Sequence, residues 1–307
     1  MFNDVIINML ELIETRITQI RDKALDLIND ASNFMKYVSE VAPSKEPVKF
    51  IAADSGFTEI TYLGFRIAVI NVAMIVNTDG KGRILNRFEA LLGVSGDELE
   101  KMALDMEAKH ALDASRSFQI NVVLLDGAII GRNYVSRFSV PVIAHVKDVK
   151  SNRYLQGIVD TEFKNYVSRA LQIMEEPLIM HVIMETYRIR NKTSVALMTK
   201  PYIVGRVGDR DVYGFYVQYL PATLPIYTEY MGNPSNIQQV ISRIVPLSTM
   251  PRLGYPAPLY IVDKMARVNT SLKDMIRLIM EKLGGDALNE LRGMYLKMGL
   301  NEYVKSK

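Results

Sequence analysis

Two apolar runs in this chain finish on a carboxylate. The stretch IAADSGF (51–57) places Asp54 after an apolar run and before Ser55 and Gly56, and VVLLDGAII (122–130) does much the same with Asp126 and Gly127. Either motif alone is ordinary turn chemistry, because Asp and Gly suit the end of a strand. Two of them with an acidic helix between are a stronger constraint. Carboxylates brought together by a fold repel one another, and a bound cation removes that cost.

The intervening helix is announced by Ser95 and Glu98, spaced as a capping box. Its apolar stripe is Leu99, Met102, Ala103, Met106 and His110, with Glu107 on the edge of that face. Ala103 and Ala111, four residues to either side of Glu107, leave room beside its carboxylate. A fourth acid, Asp263, falls near the start of a late helix read from DKMARVN (263–269). First strand, helix, later strand, late helix is the order in which an RNase H-like fold delivers metal-binding carboxylates. The expectation is an α/β fold with an RNase H-like mixed sheet and flanking helices. Asp54, Glu107, Asp126 and Asp263 would hold two divalent cations about 4 Å apart, bridging one phosphate, activating a water and steadying the leaving oxygen.

Composition narrows the chemistry. Cysteine is absent, which excludes disulfides, thiolate sites and a Cys nucleophile, and the three histidines, His110, His145 and His181, have no close ligand spacing. A metal must then be hard and oxygen-bound, Mn²⁺ or Mg²⁺. No GxxxxGK[ST] motif is present, so no P-loop ATPase is expected. No apolar run approaches the ~20 residues of a membrane span, and MFNDVIINMLELIETR mixes acids into its apolar residues, unlike a signal peptide. A cytoplasmic protein with no membrane partner is expected. The net charge of +3 does not by itself indicate nucleic acid. Three local stretches combine basic residues, aromatics and loop formers, and could track a phosphate backbone: GRVGDRDVYG (205–214) with Arg206 and Arg210, MPRLGYP (250–256) with Arg252, and VKDVKSNRYLQG (146–157) with Lys147.

Residues 3 to about 41 carry an unbroken heptad seam and read as one long helix, ended by APSKEP (42–47). Such a seam needs a partner, either its own domain or a second copy of the chain, and a homodimer is expected. The chain divides into an N-terminal arm (1–42), a core (43–268) and a C-terminal helical segment (269–307). Within the core, strands are expected at 48–54, 120–127, 139–148 and 223–232, and one or two more over 60–77. Hairpin or loop chemistry follows at 77–83. A helix is expected over 160–176 and a hairpin over 200–220, turning at Gly208-Asp209.

Over most of its length the chain resembles the NurA nucleases, archaeal DNA-end-processing enzymes that work with the hexameric translocase HerA. The resemblance begins with the long N-terminal helix and is carried by AADSGF, ALDMEAKHAL and VVLLDGAII, which place Asp54, Glu107 and Asp126 at the family's catalytic acids. IAHVKDVKSNRY resembles the family's strand ending in a lysine, here Lys147, and GYPAPLYIVDKMA its Tyr-Pro segment, here Tyr255. Two departures stand out. The turn reads Asp-Ser-Gly where the family has Asp-Gly-Ser, and Asp263 stands where the family has a His eight residues after the Tyr. The resemblance implies a Mn²⁺- or Mg²⁺-dependent deoxyribonuclease, with 5′-to-3′ exonuclease and single-strand endonuclease action, in end resection of double-strand breaks. It further implies a homodimer docked on HerA, with Lys147 and Tyr255 on the DNA. The altered position 263 leaves an alternative: a catalytically weak or silent paralogue that binds DNA or the translocase.

Overall fold

A computed structural model describes residues 2–62, 65–78, 80–147, 152–248, 254–268 and 270–283, with single positions at 290 and 293. The chain opens with α1 (Phe2–Asp30), a 3-10 turn (Ala31–Tyr37) and β1 (Val38–Val41), followed by β2 (Phe50–Tyr62), β3 (Phe65–Thr78), β4 (Lys81–Leu92), α2 (Gly96–Ser117) and β5 (Val122–Asp126). Next come β6 (Val142–Val146), α3 (Arg153–Gly157), α4 (Thr161–Ala170), α5 (Glu176–Asn191), β7 (Ala196–Thr199), β8 (Tyr202–Val207), β9 (Arg210–Gln218) and β10 (Ile226–Met231). The last elements are α6 (Ile237–Ile244), α7 (Ala257–Ala266) and α8 (Thr270–Leu283). The chain forms two compact units. The first holds the residues up to Val48, Gly127–Ile130 and Pro141–Ala257; the second holds Lys49–Asp126, Gly131–Val140 and the residues from Pro258 on.

In the first unit the strands run β1-β7-β9-β10-β6, each neighbouring pair antiparallel, with β8 forming a hairpin on β9. The expected turn at Gly208-Asp209 is where β8 passes to β9. The long helix stops at Asp30, eleven residues short of its expected end. The reason is visible in the spacing. Ala31, Phe34 and Tyr37 recur every third residue, which suits the three-residue turn of a 3-10 helix and buries all three. Phe34 and Tyr37 stack on Phe163 of α4, at centroid distances of 5.6 and 4.4 Å. Val38–Val41 then pairs with β7, so strand pairing overrides the heptad pattern. The helix expected over 160–176 divides into α4 and α5. Asp160 caps α4 by accepting the Phe163 N–H at 2.9 Å, and Pro177 sits in the first turn of α5.

In the second unit the order is β4-β3-β2-β5. β2, β3 and β4 form an antiparallel meander, and β5 lies parallel to β2. That is a mixed sheet, with α2 packed on β2 and β3 and α8 against β2. β2 does not finish at Asp54. Ser55, Gly56 and Phe57 continue the ladder opposite Val72, Asn71 and Ile70, and the strand runs to Tyr62. The apolar run 60–77 therefore holds the end of β2 and all but the last residue of β3. The capping box of α2 does not form: Ser95 makes no capping bond, and the Gly96 N–H donates to the Glu59 carboxylate at 3.0 Å. α7 begins at Ala257, not at Asp263, because Pro258 in a first turn forfeits no helix hydrogen bond. Residues beyond Leu283 in the expected C-terminal segment lie outside the described stretches, apart from positions 290 and 293.

Candidate metal centre

The register of β2 on β5 pairs Phe50 with Val122 and Ala53 with Leu125. The next residue on each strand is an acid. Parallel neighbours lie about 4.8 Å apart, so Asp54 and Asp126 emerge side by side. Asp263 joins them from α7. Each of the three offers one carboxylate oxygen, and these oxygens lie within 4.8 Å of one another.

The altered turn, Asp54-Ser55-Gly56, makes sense on this geometry. Side chains alternate across a strand, so Asp54 and Gly56 share one face and Ser55 takes the other. On the first face, α7 comes so close that a Cβ on Gly56 would lie 2.3 Å from the Ala266 carbonyl oxygen. Asn71, directly opposite Gly56, donates its side-chain N–H to the carbonyls of Met265 and Ala266 at 2.8 and 3.2 Å. These contacts seat the end of α7 one turn beyond Asp263. Asp263 also accepts from Arg267 at 2.8 Å. On the other face, Ser55 Oγ donates to Glu107 at 3.1 Å, and the Ser55 N–H donates to Asp54 Oδ1 at 2.8 Å.

Glu107 is not on the edge of its helix face. Leu99, Ala103, Glu107 and Ala111, spaced by four, form a buried row on α2. Its carboxylate has no exposed surface and meets Arg132, itself fully buried, at 2.6 Å. Burial pushes the Glu107 carboxyl up to about 7; the Arg132 guanidinium and the Ser55 hydroxyl pull it down, and the charge of Asp126 adds to the rise. Arg132 also donates to the main-chain carbonyl of Asp126. Among the described residues the metal-type cluster is Asp54, Asp126 and Asp263, and Glu107 lies outside it.

The three aspartates fit a hard divalent cation: all donors are oxygen and anionic, and their mutual repulsion falls when a cation binds. Among the described residues no histidine belongs to this group. His145 is buried against the Tyr219 hydroxyl at 2.7 Å, and burial, with the charge of Lys147, lowers it to about 3. His110 pairs with Glu89 at 3.1 Å, and His181 meets the Thr223 carbonyl.

In the first unit Lys147, just past β6, sits over the Tyr255 ring at 5.0 Å. Arg206 and Arg210 lie on the β8–β9 hairpin, where Arg206 pairs with Asp211 at 2.6 Å. Arg252 lies outside the described residues. Sequence reasoning missed Arg132 and Asn71. Arg132 follows a Gly in an aperiodic loop and Asn71 interrupts an apolar strand; a polar residue within IAVINVAMIV was the one available signal.

Residues 48–268 match the family model described as the NurA domain. Among solved structures, the NurA nuclease from Sulfolobus solfataricus is similar with a TM-score of 0.51 at 14% identity, covering 89% of this chain and 97% of that one. A structure of NurA with manganese is similar with a TM-score of 0.51 at 10% identity, covering 88% of this chain and 98% of that one. At these identities the likeness is one of fold. No protein with a curated description matches the sequence.

Proposed function

The chain belongs to the NurA family, and from that membership we propose that it is a metal-dependent DNA nuclease. The observation that carries this reading is the convergence of Asp54, Asp126 and Asp263, with oxygens within 4.8 Å. These three would hold two Mn²⁺ or Mg²⁺ ions, with Glu107, expected as a fourth ligand, outside their cluster. Bound there, a divalent cation polarises a phosphoryl oxygen and makes a water a stronger nucleophile.

The chain's own groups do the rest. Two strand-borne aspartates and one helix-borne aspartate fix the ligand directions, since each element is anchored by the sheet. Lys147, Arg206, Arg210 and Arg252 would offset phosphate charge, and Tyr255 would position the strand. Resection of DNA ends with 5′-to-3′ exonuclease and single-strand endonuclease action, partnership with HerA and a cytoplasmic location complete the reading. So does a homodimer using the 1–42 arm beside a 43–268 core and a 269–307 tail.

Asp263 in the place of the family's His favours a second reading, a silent subunit that binds DNA or the translocase. One experiment separates them. The purified protein is incubated with single- and double-stranded DNA in Mn²⁺ and in Mg²⁺, beside Asp126→Asn. Cleavage by the parent alone supports the nuclease. A parent inert in both metals that still binds DNA supports the second reading.

A further inference from the structure

Glu107 is the acid that the cluster leaves out, and its surroundings say why. A carboxylate with no solvent exposure must be matched inside the protein, and here the match is Arg132, also fully buried, at 2.6 Å. A guanidinium is a fork of donors that can serve two acceptors at once. Nη1 of Arg132 donates to Glu107 and Nη2 donates to the main-chain carbonyl of Asp126. The neighbouring residue repeats the device. Asn133 donates its backbone and side-chain N–H groups to Asp105 at 2.8 and 2.6 Å. Residues 132 and 133 are thus lashed to α2 at two acids two positions apart, just after the strand that ends in Asp126.

Resting on the nuclease reading, we propose that Arg132 is a positioning residue for the metal centre. It engages Glu107 in an internal ion pair, so that Glu107 is not a metal ligand in this chain, and through the pair it fixes the backbone of Asp126. The ligand set is then three aspartates. Asp263 supplies the carboxylate that Glu107 does not, which gives the departure at position 263 a physical role.

The test is Mn²⁺ affinity, measured by calorimetry on the full chain without DNA, in four proteins: the parent, Asp126→Asn, Glu107→Gln and Arg132→Lys. An amide in place of the carboxylate keeps an acceptor for Arg132, so Glu107→Gln should bind Mn²⁺ within a few-fold of the parent. Asp126→Asn should lose binding by far more. Lysine is a point charge that cannot fork between Glu107 and the Asp126 carbonyl, so Arg132→Lys should weaken Mn²⁺ binding by about tenfold, the usual penalty for losing support behind a ligand. A merely structural arginine would change melting temperature and leave the affinity of the folded variant alone. Loss of Mn²⁺ binding in Glu107→Gln equal to that in Asp126→Asn would overturn the inference, as would parental affinity in folded Arg132→Lys. If Arg132→Lys does not fold, Glu107→Gln decides. A parent that binds no Mn²⁺ would overturn the nuclease reading and this inference together; the other outcomes leave that reading standing.

Discussion

Asn71, in the middle of β3, ties off the end of the helix that carries Asp263: its side-chain N–H reaches the carbonyls of both Met265 and Ala266. The last carbonyls of a helix have no partner within it. Asn71 is 2% exposed, so a buried amide does for this helix end what water does elsewhere.

Asn71→Leu should therefore leave two carbonyls unmatched, destabilising the fold by about 1–3 kcal/mol. On the nuclease reading the freed helix end carries a proposed ligand, so cleavage should fall by a further ~10–100-fold in protein that remains folded. Gly56→Ala should act in the same direction, since its Cβ would meet the Ala266 carbonyl from below. Melting curves and single-turnover cleavage check both; a destabilised variant with unchanged cleavage would mean that α7 does not set Asp263.

Asp54→Asn and Asp126→Asn each remove a hard anionic donor and barely change volume. Cleavage should drop by more than about 100-fold with circular dichroism unchanged. Mn²⁺ at about a hundred times its Kd should stabilise the parent by roughly 2.7 kcal/mol and the double variant not at all. Scanning calorimetry with and without Mn²⁺ reads the difference.

Asp263→Ala should weaken both Mn²⁺ binding and cleavage. Asp263→His should restore an enzyme, and with it a new step near pH ~6.5 where imidazole titrates. The three aspartates of the parent supply no such step, and Glu107, raised to about 7, is common to both proteins, so the added step is read as the difference between them. A pH profile of cleavage for the parent and this variant is the measurement.

Glu176 gives a stability test independent of the metal centre. It is buried on α5, where burial raises its carboxyl from 4.5 to about 7, with the hydrogen bond from Tyr216 working against the rise. A raised acid binds its proton more tightly in the folded state. Its contribution is complete below about 4.5 and disappears as pH climbs toward 7. Glu176→Gln should flatten that part of the pH–stability curve and exceed the parent at pH 8 by up to about 3 kcal/mol. Urea unfolding across this range would show it; parallel curves for the two proteins would refute it.

The proposed dimer can be tested by where the arm is cut. Ile17 and Ile20 on α1 are 60% and 49% exposed, apolar side chains on the seam. Ala31, Phe34 and Val41 are buried in the first unit, so removal of the chain up to Pro43 would destroy the sheet edge as well as the seam. A chain beginning at Lys23 keeps them. It should sediment as a folded monomer while the parent sediments as a dimer, and a stable dimer from the shortened chain would exclude the arm.

How far the sequence could be read depended on range. Periodicity located α2, and continuous apolar runs such as 48–54 and 120–127 located most of the strands, because a short apolar run suits a strand buried on both faces. Asp54 and Asp126 were legible for the same reason, each being an acid after an apolar run. Periodicity failed where partners are distant. The heptad seam ran straight through Val38–Val41, since nothing local announces that β7 waits some 160 residues later to pair with it. Nor does anything near Glu107 announce Arg132. A buried acid and a surface acid look alike on a helix until the opposing charge is located, and that charge sits in a loop whose path only the folded sheet defines.

The three aspartates come from the first strand of the second unit, from its last strand and from a helix more than a hundred residues further on. Chains leave the ribosome N-terminus first and fold as they emerge. On the nuclease reading, a half-made chain carries two of the three carboxylates and cannot cut, and neither can a fragment clipped ahead of α7. On that reading, synthesis itself arms the enzyme: the third carboxylate is the last part of the proposed centre to be made.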